Sequence, residues 1–218
     1  MPASELLRGI IAVIAGYLLG SLPTAYLITR LVTGKDIRKL GGGNVGGLNT
    51  FREVGIFPAL AVTAIDIAKG AATVALAYYT LALPQSWVLA AALTTVIGHN
   101  WMVWLKFSGG KGAGTAVGAL AVLLPAYGYW PGLAIFIAVV IMPLAITRNI
   151  SIAIALGLVS LPFIAWLGMG SGKLVLWGLA LDLVMALKYY PTARRAWNRT
   201  GSVRGFVFDR WQRSQNKK

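Results

Sequence analysis

Apolar residues in this chain come in long runs, not in the stripes of a surface helix or the alternation of a strand. Of its 218 residues, 57% are hydrophobic and 12% charged, and a soluble domain carries about 25% charged residues. About 20 consecutive apolar residues cross a bilayer as a helix, where each backbone polar group must find its partner inside the segment. Runs of this kind fall at roughly 9–31, 56–82, 86–105, 114–129, 131–147, 150–168 and 172–190. The expected fold is therefore all-α, a polytopic membrane protein with about seven transmembrane helices. The fourth and fifth runs are short and meet at Gly128-Tyr129-Trp130-Pro131, where glycine and proline break a helix. A count of five or six crossings, with one of these runs re-entrant, is the alternative. The run from Gly9 to Leu31 exceeds the apolar part of a secretion signal and reads as a retained span. Residues 1–190 read as a single multi-pass domain and 191–218 as a basic amphipathic tail.

Lysine and arginine set the orientation of such a chain. With the N-terminus outside, all but Arg8, Lys69 and Lys173 of the 20 lysines and arginines fall in inner loops or the C-terminal segment. The expectation is an N-terminus outside, a C-terminus in the cytoplasm, and inner loops that include 35–52, 106–112 and the turn at Arg148. A formal charge of +14 would suit nucleic acid. Its confinement to loops and tail instead suits anionic lipid, so membrane lipids and no nucleic acid are expected as partners. The tail interleaves Trp197, Phe206, Phe208 and Trp211 with arginines, as an interfacial segment does. The chain contains no cysteine and one histidine, His99. Disulfides, thiolate chemistry and a multi-histidine metal site are excluded.

Two polar, glycine-rich loops separate apolar runs. One is Gly41-Gly42-Gly43-Asn44-Val45-Gly46-Gly47-Leu48-Asn49-Thr50-Phe51-Arg52; the other is Ser108-Gly109-Gly110-Lys111-Gly112-Ala113-Gly114-Thr115. Glycine lets backbone N–H groups approach an anion, and a helix N-terminus adds a favourable field. The second loop is not a Walker A sequence: Leu105 occupies the first glycine position, and Gly112 follows the lysine. It reads as a glycine nest with a cation, opening a span near Ala113. The plainer alternative is a flexible loop whose lysine only sets topology. Gly41, Gly43 and Gly46 match G-x-G-x-x-G, but a membrane span precedes them and no βαβ unit surrounds them, so a dinucleotide fold is rejected. Arg52 suits bidentate phosphate binding, and Asn44 and Asn49 can donate to phosphate or hydroxyl oxygens. His99 lies inside a span, where a packing role competes with a functional one. Asp66 and Lys69 can pair at i,i+3. Gly16 with Gly20, and Gly114 with Gly118, are spaced for close helix packing.

These motifs resemble the PlsY family of bacterial acyl-phosphate-dependent glycerol-3-phosphate acyltransferases. The family's first motif, Gly-Ser-Gly-Asn-x-Gly-Ala-Thr-Asn-x-x-Arg, is similar to residues 41–52. Its second, Gly-His followed by Phe-Lys-Gly-Gly-Lys-Gly-x-Ala-Thr, is similar to Gly98-His99 and Phe107 to Thr115. An Arg-x-x-Ser turn matches Arg148 and Ser151. The chain departs from the pattern at Gly42, where the family has a serine, and at Gly47-Leu48, where it has Ala-Thr. Pro191 and Arg194 stand where the family carries a histidine and an asparagine.

The resemblance implies a seven-span enzyme of the bacterial inner membrane. Its site would face the cytoplasm, and it would move an acyl group from acyl phosphate to glycerol 3-phosphate to give 1-acylglycerol 3-phosphate in phospholipid synthesis. Lys111, Arg52 and His99 are its catalytic candidates. Gly43, Asn44, Gly46, Asn49, Gly109, Gly110, Gly112, Thr115, Arg148 and Ser151 are its substrate-binding candidates. It would need no cofactor and no metal and could act as a monomer. The departures leave two alternatives, an acyltransferase with another acceptor and a non-catalytic protein that binds phospholipid or phosphorylated metabolites. A transporter would need an inverted repeat, which the sequence does not show.

Overall fold

The structure is a computed structural model, and it describes residues 2–207. Among the described residues every regular element is helical: α1 (Ala3–Gly20), α2 (Thr24–Thr33), α3 (Gly47–Glu53), α4 (Ile56–Ala75), α5 (Gln85–Asn100), α6 (Ala113–Ala126), α7 (Trp130–Thr147), α8 (Ile150–Met169), α9 (Gly172–Thr200) and α10 (Val203–Val207). Six stretches are long and apolar enough to span: 3–33, 56–80, 85–105, 130–147, 152–169 and 172–200. The fourth apolar run appears as the shorter helix α6, of 14 residues. At a rise of about 1.5 Å per residue it is about 21 Å long, less than the hydrocarbon core of about 30 Å. Large apolar side chains such as Leu31, Phe57 and Leu167 stand exposed, as surface covered by lipid tails does.

The first run is two helices. Pro23 follows a break at Ser21 and Leu22, and its ring fixes φ and removes a donor. The break leaves the Leu22 carbonyl available within the span, where the Lys69 ammonium donates to it at 3.4 Å.

The chain forms two compact bodies, one up to Tyr127 and one from Gly128 onward. In the first, α1 packs on α5 and α4 on α6. Glycine makes both approaches close. A Cβ at Gly20 would meet the backbone of Thr95, one at Gly98 the backbone of Tyr17, and one at Gly118 the backbone of Ile67. In the second body α8 packs between α7 and α9. Helix α9 continues through Pro191 to Thr200, and the ring of Phe206 lies edge-on to Trp197. Phe208, Trp211 and the terminal basic residues lie outside the described residues.

Candidate functional site

The first body brings the two glycine-rich loops to one place. Beneath them lies a small core of Ala25, Ile37, Val45, Val62, Met102 and Leu105. Val45 belongs to the first loop, and Met102 and Leu105 lead into the second. Burying these side chains fixes the base from which both loops rise. Lys106 and Phe107 both adopt left-handed backbone angles, which cost energy for residues with a Cβ. The amides of Phe107 and Ser108 donate to the carbonyls of Met102 and Leu105, and this closes the turn that launches the second loop.

The second loop is strapped to the end of α5. The Gly110 amide donates to the His99 carbonyl at 3.0 Å. A Cβ at Gly109 would strike the carbonyls of His99 and Asn100. One at Gly110 would strike His99 Nε2 and the Val45 carbonyl oxygen, the latter at 2.7 Å. Gly110 is therefore the point where both loops and the α5 imidazole meet. Gly112 caps α6 at φ +73°, a left-handed angle that glycine adopts without steric cost. Behind it the amides of the first α6 turn lack intrahelical partners, as at any helix N-terminus. Lys111 is partly exposed between these two glycines.

In the first loop Gly43, at φ +70°, turns the chain back over Arg38. Asn49 is 5% exposed, and its amide serves the loop's own backbone. Its Nδ2 donates to the Leu40 carbonyl at 3.1 Å, and its Oδ1 accepts from the Gly42 amide at 3.3 Å. Asn44 and Arg52 are partly exposed. Burial pushes the Arg52 guanidinium below its ordinary pKa, partly offset by neighbouring Glu53. A cation half withdrawn from water gains more from an anionic partner than a fully hydrated one does. Ahead of the loop, Arg38 and Asp36 form a bidentate pair, with Nη2 to Oδ2 at 2.7 Å. The Arg38 side chain, hydrogen-bonded to Asp36, holds that carboxyl below the usual carboxylate range.

His99 is 3% exposed. Asp66 Oδ1 lies 3.6 Å from its Nδ1, 3.0 Å from Lys69 Nζ, and 3.2 Å from Thr24 Oγ1, which donates to it. Thr115 is fully buried on α6, with its backbone against Gly70 of α4. Arg148 belongs to the second body, exposed and in a left-handed cap at the end of α7. The side chain of Ser151 lies outside the described residues. At the start of α8, Asn149 Oδ1 accepts from the Ile152 amide. The convergence of Thr24 and His99 on Asp66 was not expected from the sequence. The i,i+3 spacing marked the Asp66–Lys69 pair, but no signal joined it to a residue on α5. Among the described residues no three His, Asp or Glu side chains gather as a metal site would need.

The glycerol-3-phosphate acyltransferase family model matches residues 10–199. Glycerol-3-phosphate acyltransferase 1 of Dehalococcoides mccartyi is 47% identical over 202 residues, covering 93% of this chain and 97% of that one. A second such protein of the same organism is 39% identical, covering 91% of this chain and 92% of its own. The glycerol-3-phosphate acyltransferase of a Synechococcus species is 42% identical over 166 residues, 76% of this chain and 77% of that one. The fold is similar to the crystal structure of PlsY (YgiH) in its glycerol 3-phosphate form. The TM-score is 0.79 at 24% identity, covering 88% of this chain and 92% of that one.

Proposed function

The chain belongs to the glycerol-3-phosphate acyltransferase family, and on that premise we propose that it acylates glycerol 3-phosphate from acyl phosphate at the cytoplasmic face of the bacterial inner membrane. A hydroxyl oxygen of glycerol 3-phosphate attacks the acyl carbonyl carbon, and the bond from that carbon to the phosphate oxygen breaks. The products are 1-acylglycerol 3-phosphate and inorganic phosphate, which departs with the electron pair and, in net balance, the hydroxyl proton. Acyl phosphate is already activated, so no covalent enzyme intermediate is required.

The observation that carries this reading is the meeting of the two glycine-rich loops at Gly110. The amides of Gly109, Lys111 and Gly112, the start of α6 and the Lys111 ammonium hold the donor phosphate and stabilise the charge it takes up on leaving. Arg52 clamps the acceptor phosphate, and Asn44 orients it. Asn49 acts one step back, by holding the backbone of residues 40–42 that frames the acceptor. The acyl chain lies along the apolar helices, and one copy of the chain contains every group the reaction uses.

The test is acyl transfer by the purified protein in detergent, with palmitoyl phosphate and glycerol 3-phosphate. Lysophosphatidate is expected from the native chain. Lys111→Ala should reduce turnover by about a hundredfold or more, the scale of losing one charge-stabilising donor, with no change in melting temperature. Near-normal turnover in that variant removes Lys111 from the site.

A further inference from the structure

His99 invites assignment as a general base, being the one histidine of the chain, next to a glycine-rich loop. Its surroundings argue for another role. The imidazole is 3% exposed, and its Nε2 abuts the backbone at Gly110, where any side chain would collide with it. Its own backbone carbonyl accepts the Gly110 amide at 3.0 Å. The same residue thus holds Gly110 twice, by its main chain and by its ring. The Val45 carbonyl of the first loop closes on that same point.

Behind the ring stands a fixed anion. Asp66 Oδ1 is 3.6 Å from Nδ1, and Lys69 at 3.0 Å and Thr24 at 3.2 Å hold it from α4 and α2. Lys69 is tied in turn to the Leu22 carbonyl, released by the break in the first span. A carboxylate beside one ring nitrogen favours the proton there and fixes the ring's orientation. The ring then presents a set face to the loop. A proton acceptor for substrate would need reach to the substrate hydroxyl, whereas this ring nitrogen is covered by the loop it supports.

We propose that His99, oriented by Asp66, is a positioning residue that locks the phosphate-holding loop at Gly110 against the first loop at Val45. The pair Lys69–Asp66 and the hydroxyl of Thr24 extend this lock through the helices beneath. The inference rests on the reading that these loops hold substrate phosphates. A loop displaced by about 1 Å costs up to about a hundredfold in a positioned reaction, so a group that never touches substrate can still control its binding.

The experiment compares His99→Gln and His99→Ala with the native chain, measuring kcat and KM for palmitoyl phosphate and for glycerol 3-phosphate. Glutamine keeps an amide near the ring nitrogens but cannot serve as a base. The expected result is a KM raised about tenfold or more for at least one phosphate substrate in His99→Ala. His99→Gln should restore most of that loss and keep kcat within about threefold of native. A kcat in His99→Gln lowered about a hundredfold or more, at unchanged KM, would make His99 the base and overturn the inference, as would two variants indistinguishable from native. Gly110→Ala tests the same contact from the loop. Its cost should shrink in a His99→Ala background, and strict additivity contradicts the lock. If the native chain binds palmitoyl phosphate without turning it over, the proposed reaction falls. The lock is then read from the dissociation constant of palmitoyl phosphate, which must rise in His99→Ala for it to stand.

Discussion

Gly42 stands where the family pattern carries a serine, yet nothing in the fold demands glycine there. A Cβ at Gly42 would meet no atom within 4 Å, and the residue is exposed on the first loop. Its neighbours differ, since Gly41 and Gly43 both take left-handed angles that a side chain would strain. Gly42→Ser is therefore expected to leave the melting temperature unchanged and to raise turnover of glycerol 3-phosphate, since the hydroxyl adds a hydrogen-bonding group beside the acceptor. A variant with unchanged kinetics would show that this chain's site works without that hydroxyl. Asn49 shows the opposite case. Its residue type is what a phosphate site uses, but its amide is engaged by the Leu40 carbonyl and the Gly42 amide. Residue type alone does not separate a ligand from the brace that shapes the loop.

At the scale of elements, the site depends on helices brought into backbone contact by glycine. Helix α6 carries the second loop's exit and lies against α4, with Gly118 at the Ile67 backbone and Gly70 at the Thr115 carbonyl. A methyl group at 118 has no flexible side chain to displace, so α4 and α6 must separate. Gly118→Ala is expected to destabilise the protein by about 1–3 kcal/mol, the usual cost of overpacking, seen as a lower melting temperature in detergent. An unchanged melting temperature would mean that the two helices part freely. The glycine spacings of α1 and α6 announced such contacts, whereas the partner helices could not be read from spacing. The break at Pro23 was hidden for a related reason: residues 9–31 are continuous in hydropathy, but the proline ring interrupts the backbone ladder.

At the scale of the whole molecule, charge sets an expectation for orientation. The expected arrangement puts the second loop in the cytoplasm and the turn before α9 outside. Because the chain has no cysteine, single cysteines can report this directly. Ser108→Cys and Lys173→Cys replace exposed residues on opposite expected faces. In intact cells a membrane-impermeant maleimide should label Lys173→Cys and spare Ser108→Cys until the membrane is opened. The reverse labelling would invert the topology and with it the side from which the substrates arrive.

The sequence by itself determined that this chain is an all-helical, multi-pass membrane protein with two glycine-rich loops, because apolar run length and glycine-rich motifs are local properties. It also carried the family, through the order and spacing of those motifs. Only the tertiary structure decided which residues stand together. The meeting of Val45, His99 and Gly110, and the approach of His99 to Asp66, itself held by Lys69 and Thr24, join five separate segments of the chain. Such contacts come from backbone approach between helices, which depends on how glycines on one helix face the main chain of another. No period or motif along a single segment records that.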